Sequence, residues 1–157
     1  MKNKLLSMLL ILAALVSMLS SCSIFSGNVA SFGEATVVVE NVDGSYDAFE
    51  VNLATVMNKK EGAKGVIEHL NQRNDRLYLE MIDSTYGAYV SAIGSIKESY
   101  ADKKYVIVYT SVAADAYEGA PTIQYEGTTL YQAGVGLSGM SVEDGTIILF
   151  RLEVSPY

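Results

Sequence analysis

The sequence predicts an α+β domain in which a mixed or antiparallel β-sheet is crossed by one packed helix. Three observations point there. From Ala35 onward the dominant hydrophobic period is two, the period of half-buried strands; one stretch, Ala63 to Leu70, switches to the helical period; and no strand–helix–strand alternation builds a doubly wound parallel sheet. Composition agrees. Half of the 157 residues are hydrophobic, 18% are charged and two are Pro, the make-up of a folded chain with one core.

Taken in order, the chain opens with Lys2 and Lys4, an apolar run from Leu5 to Leu19 broken by Ser7 and Ser17, and then Ser20, Ser21 and Cys22. A basic start, a short hydrophobic stretch and small residues at the cut are the layout of a secretory signal. A permanent transmembrane helix takes roughly 20 apolar residues, so residues 1–21 are expected to be removed. Leu19-Ser20-Ser21-Cys22 resembles the bacterial lipobox, and it contains the only Cys of the chain. The resemblance implies that Cys22 becomes the lipid-bearing first residue of an extracytoplasmic protein anchored to a bacterial membrane. Two or more acyl chains would hold it there, because one chain, at about 0.8 kcal/mol per buried CH₂, binds only marginally. A signal cut elsewhere would instead leave an unpaired thiol in an oxidising compartment, which is unusual.

Loss of Lys2 and Lys4 leaves 9 of the 11 basic residues against 18 acidic ones, a net charge of −9. No Lys/Arg cluster offers a surface to phosphates, and nucleic-acid binding is not expected. One Cys and one His exclude a Cys/His zinc site, an intrachain disulfide and a two-histidine metal site by counting. Residues 22–33, with Ser, Gly and Asn and no sustained period, read as a tether. Residues 34–157 read as the domain, large enough to bury about two-thirds of its surface without staples.

Within it, Ala35, Val37 and Val39 alternate with Thr36, Val38 and Glu40, and after Asp43-Gly44 the alternation resumes through Phe49, Val51 and Leu53. Two strands joined at an Asp-Gly turn make a β-hairpin. Ala63, Val66, Ile67 and Leu70 then fall at i, i+3, i+4 and i+7, with Asn58 and Glu61 placed as a capping box. Gly62 and Gly65 each cost this helix about 1 kcal/mol against Ala, so it needs a sheet to pack on. The strand period returns at Leu77–Met81, Tyr89–Ile93, Tyr105–Val112 and Thr122–Glu126. In the last strand Ile148, Phe150, Leu152 and Val154 face one way, and Leu149, Arg151 and Glu153 the other.

The sequence of hairpin, helix, Tyr86-Gly87-Ala88-Tyr89-Val90, Ile93-Gly94-Ser95-Ile96, Tyr105-Val106-Ile107-Val108-Tyr109 and Val142-Glu143-Asp144-Gly145-Thr146 resembles the transcobalamin-like C-terminal domain. That family is a small β-grasp-like module common in bacterial surface proteins and lipoproteins, mostly of unknown function. The resemblance spans about Ala35 to Val154. It departs in informative places: Val106 stands where the family has a tryptophan, Ser111-Val112 where it has Asn-Gly, and Asp144-Gly145-Thr146 where it has Asp-Gly-Asp. A stretch from Ala113 to Gly127 reads as an insertion. The namesake domain covers one face of cobalamin in animal carriers, which use a second, helical domain that this sequence does not contain.

Eleven tyrosines and no tryptophan follow Cys22. An amphipathic ring with a polar end suits sugars, peptides or planar ligands, and Tyr89, Tyr105, Tyr109 and Tyr131 are the expected ligand contacts, with Tyr86 and Tyr125 as neighbours. Tyr is also simply a good strand residue that packs against cross-strand partners. Gly134-Val135-Gly136-Leu137-Ser138-Gly139 matches G-x-G-x-x-G, but the Asp144-Gly145 turn and last strand follow too soon for the helix of a dinucleotide site. A mobile loop or a bulged strand is expected there. Asn41, Asp43 and Asp47 lack the spacing of a calcium loop and suit a turn. His69, beside Glu68 on the helix, reads as solvated, and with no G-x-S-x-G elbow there is little from which to build a nucleophilic triad. No metal and no cofactor are expected. The expected function is a non-catalytic, membrane-anchored lipoprotein whose β domain binds a small ligand or an envelope protein; the alternative is an accessory part of an envelope assembly.

Overall fold

The computed structural model describes residues 27–73 and 77–154. The signal peptide expected at 1–21 and the lipid site expected at Cys22 lie outside the described residues.

The first strand, β1 (Glu34–Glu40), pairs antiparallel with β2 (Tyr46–Asn52) in the register Glu34↔Asn52 to Glu40↔Tyr46. Gly44, at φ +82, turns the chain between them, and the Asp43 carboxylate accepts from the Ser45 amide (3.0 Å). Asn41 reaches Ser45 and Asp47 with its side-chain amide, so the acidic cluster is a turn held by its own hydrogen bonds.

Helix α1 (Gly62–Arg73) follows, burying Ala63, Val66, Ile67 and Leu70 as the period requires. Its start differs from the capping box. Asn58 makes no side-chain cap; Lys59–Glu61 form a 3₁₀ turn, and Met140 O accepts the first free amide, that of Ala63 (3.1 Å). The two helix glycines are there for closeness, since a Cβ on Gly65 would stand 2.3 Å from Asn58 O.

A three-stranded sheet comes next, formed by β3 (Leu79–Ile82), β4 (Tyr89–Ile93) and β5 (Ile96–Lys97). Then come β6 (Lys104–Thr110), β7 (Thr122–Tyr125), β8 (Thr128–Gln132) and β9 (Ile147–Val154). These complete a six-stranded sheet of order β2-β1-β9-β6-β8-β7, in which β9 lies parallel to β1 and antiparallel to β6. The expected fold class holds: hairpin, one packed helix, and a last strand inserted beside the first.

Both faces of the six-stranded sheet are covered, which is why β1 buries Val37, Val38 and Val39 in succession. Val37, Val39, Ile148 and Phe150 face α1 and the small sheet in the main core. Val38, Tyr109, Leu130 and Leu149 make a second core on the opposite face. Its cover is the β7–β8 hairpin, whose first strand lies in the stretch that reads as an insertion and whose second strand follows it. The ladder between β6 and β8 is only two pairs long, and Tyr125 at the hairpin's end meets Tyr46 of β2 edge-on, with centroids 5.1 Å apart. The two edge strands of the sheet are thus brought together by its curl. Strand β8 is an element the sequence pattern did not distinguish.

One expected boundary is corrected. The tether assigned to 22–33 is not free from Gly27 onward: Val29 is 3% exposed, forms a parallel bridge with Val142, and donates its amide to Lys59 O (2.9 Å). Gly27 donates to Ser138 O, and a Cβ there would stand 2.1 Å from Met140 O. A single buried valine among Ser, Gly and Asn leaves no period to detect, so the described domain starts seven residues earlier than β1.

Candidate functional site

The four tyrosines expected to bind a ligand do not form one row. Tyr105, Ile107 and Tyr109 do share a face of β6, but Tyr109 is 2% exposed beneath the β7–β8 hairpin. Its hydroxyl donates to the Glu153 carboxylate (2.8 Å), and burial, helped by that bond and charge, pushes the phenol pKa well up. A ligand cannot reach it. Tyr131 pairs with Thr110 and Thr122, and therefore projects to the other side of the sheet from Tyr109. Tyr125 is likewise interior.

Tyr89 and Tyr105 do come together, through Tyr100. The Tyr100 and Tyr105 rings meet edge-on at 5.9 Å, and the Tyr100 hydroxyl lies against that of Tyr89, the first cause of its raised pKa. Beside them is a hollow of about 170 Å³ between β4 and β6, with Ala88, Tyr89, Val106 and Val135 in its walls.

Val135 separates this hollow from a larger cleft of about 610 Å³, bounded by Ser84, Thr85, Tyr86, Gly87, Gly134, Val135 and Ser138. Two glycine loops make it. The Ser84–Gly87 turn is closed by Gly87 N–H to Ser84 O (3.1 Å) and by the Ser84 hydroxyl donating to Gly87 O (2.7 Å); Gly87 sits at φ +99. The Gly134–Gly139 loop lies back-to-back with it: Gly136 donates to Tyr86 O (3.3 Å), Leu137 to Ala88 O (2.8 Å), and the Ser138 hydroxyl accepts from Ala88 N–H (3.3 Å).

The glycine loop is not a bulged strand. Leu137–Gly139 form a 3₁₀ turn that buries Leu137 and leads into buried Met140 against the start of α1. Glycine is required because the loops touch through backbone: a Cβ on Gly136 would stand 2.6 Å from Tyr86 O. Tyr86, by contrast, is 89% exposed at the rim. The sequence held both loops as short motifs, but nothing along the chain indicated that residues fifty apart would line one cleft.

Chemically the cleft offers an aromatic face, a valine, hydroxyls and backbone, and Tyr86 is the only titratable side chain in its walls. Its volume falls within the range of small-molecule sites. His69 is placed elsewhere, in an open groove of about 440 Å³ between β2 and α1 with Glu34, Glu50 and Arg73. It is half-buried rather than solvated, within 3.0 Å of the Thr55 hydroxyl; burial first, and then Arg73, hold its pKa below the usual imidazole value. Among the described residues no three His, Cys, Asp or Glu side chains converge as a metal site would require.

Comparison with solved structures bears on the fold. One crystal structure, of a protein from Ruminococcus gnavus named only provisionally as metal binding, superposes with a TM-score of 0.54 at 14% identity, covering 78% of this chain and 98% of that one. Haptocorrin in complex with Cbi superposes with a TM-score of 0.56 at 17% identity over 85% of this chain. The likeness is one of fold. This chain spans 28% of the haptocorrin length, so the match is to one part of that protein. No protein-family model and no curated protein matches the sequence.

Proposed function

We propose that the domain is a non-catalytic, extracytoplasmic binding module, anchored through lipidated Cys22, that takes a small uncharged ligand in the cleft between the Tyr86–Gly87 and Gly134–Ser138 loops. The cleft carries the reading: about 610 Å³ of mainly apolar wall with one exposed aromatic ring at its edge. Such a ring stacks on a planar ligand or a sugar face, and the hydroxyls and backbone orient it. General acid–base or nucleophilic chemistry needs a positioned titratable group, and the walls supply only the exposed Tyr86 phenol. The fold neighbours support ligand binding in a coarse sense, one being a ligand complex and the other being named for metal binding.

A second reading, a docking role in an envelope assembly, draws support from the interior placement of Tyr109 and Tyr125 and from β2, an outer strand of the six-stranded sheet that is exposed along most of its length. The two are separated by a thermal-shift screen of the domain from Gly27 against corrinoids, haem, glycans and cell-wall fragments, with Tyr86→Ala alongside. A ligand that raises the midpoint of the natural sequence and not of Tyr86→Ala supports the cleft, because binding stabilises by mass action. A flat response at high ligand excess removes the small-ligand role. Mass spectrometry of Cys22 from bacterial membranes tests the anchor.

A further inference from the structure

We propose that the surface formed by Asn28–Phe32 and Met57–Lys60 lies against the phospholipid bilayer, so that the domain is held in one orientation and does not swing freely. The proposal rests on the lipid-anchor reading and deepens it. Five residue steps separate Cys22 from Gly27, a reach of at most about 18 Å. Gly27 is already bonded into the fold, and the patch where the chain enters the domain is therefore kept near the lipid.

That patch is built of two adjoining segments. Val29 donates to Lys59 O, the Lys59 ammonium donates to Ala30 O (3.1 Å) and to Leu53 O, and Leu53 donates to Gly33 O. On these segments stand Phe32, 80% exposed, and Met57, 88% exposed. Along with Tyr86 they are the most exposed large hydrophobic side chains among the described residues. Exposed Lys60 and half-buried Lys59 stand beside them in a domain otherwise rich in acid. An anionic leaflet repels the rest of the acidic domain and attracts this pair. Glu34 and Asp144 sit at the Gly33 end of the patch, and Glu61 is occupied by Lys64 (3.0 Å). Two apolar side chains would not bind a free domain durably, but a short anchor raises their effective concentration at the lipid until a small preference decides orientation.

The test uses the lipidated chain in vesicles of phosphatidylethanolamine and phosphatidylglycerol. Ser31→Cys places the only free thiol in the patch; Val42→Cys places it in the β1–β2 turn, beyond the far end of β1, on a side chain that is itself 77% exposed. Each carries an NBD fluorophore, read by doxyl-lipid quenching. Quenching at position 31 should exceed that at position 42 several-fold, and Phe32→Ser with Met57→Ser should abolish the difference while leaving the melting midpoint unchanged. Equal quenching at both positions in a chain whose Cys22 mass includes the lipid overturns the docking alone. A difference that survives the double substitution overturns the apolar patch as its cause. An unmodified Cys22 overturns the anchor and the docking with it.

Discussion

Gly136→Ala tests the packing on which the cleft depends. The added Cβ would stand 2.6 Å from Tyr86 O, 2.8 Å from Gly87 Cα and 2.9 Å from Gly87 C, all of them backbone atoms with no rotamer to yield. The two loops must part by several tenths of an ångström. Overpacking of this kind costs about 1–3 kcal/mol. Parting also lengthens the Gly136–Tyr86 hydrogen bond, already 3.3 Å, and strains the Leu137–Ala88 bond at 2.8 Å, each worth about 1 kcal/mol. A total near 3 kcal/mol lowers the melting midpoint of a domain this size by roughly 10 °C. Gly119→Ala is the control: nothing lies within 4 Å of its Cβ, and only the strain of φ +74 is felt, about 1 kcal/mol. Circular dichroism melts of the two variants should therefore differ by more than twofold in midpoint loss. A Gly136→Ala midpoint within about 2 °C of the natural sequence would refute the back-to-back arrangement of the loops.

Three further outcomes follow from buried groups. Val29→Ala should lower stability by about 2 kcal/mol in urea unfolding, through lost burial and a residual cavity, whereas a free tether at that position would give no change. Tyr109→Phe should cost about 1 kcal/mol by orphaning Glu153 from its phenol, with ligand affinity at the cleft unaltered in calorimetry. Asp115 is 9% exposed; burial raises its pKa above 3.8, against the pull of the Ser141 amide at 2.9 Å. A raised carboxyl favours the folded state below its unfolded pKa, and that advantage is lost as pH rises through the folded value. Asp115→Asn should accordingly be the more stable protein near neutrality, with the difference in midpoint shrinking as pH falls towards 3.8.

Legibility along the chain tracked how local each cause was. The β1–β2 hairpin, α1 and β9 were plain, because each has a period and a turn residue within a few positions. The capping box misled, since Asn58 and Glu61 have the right spacing while the Glu61 amide donates to the Asn58 carbonyl in a 3₁₀ turn, and the helix that follows is met at Ala63 by Met140 O, nearly eighty residues away. Val29 was invisible for a related reason: one buried side chain has no periodicity. The tyrosines were countable but not placeable, as strand alternation set Tyr105 and Tyr109 on one face without saying that a hairpin would cover the second and leave the first beside Tyr100.

By itself the sequence determined the α+β class, the first hairpin, the one described helix and the last strand, the acidity of the domain and the lack of residues for a histidine-based metal or nucleophilic centre. Those properties depend on composition and on periods shorter than one element. Tertiary structure decided which tyrosine is buried, where the domain starts and how the Tyr86 and Gly136 loops meet to form a cleft. Each of these is a contact between segments far apart in the chain, selected by the closure of two cores at once, and no local pattern carries that information.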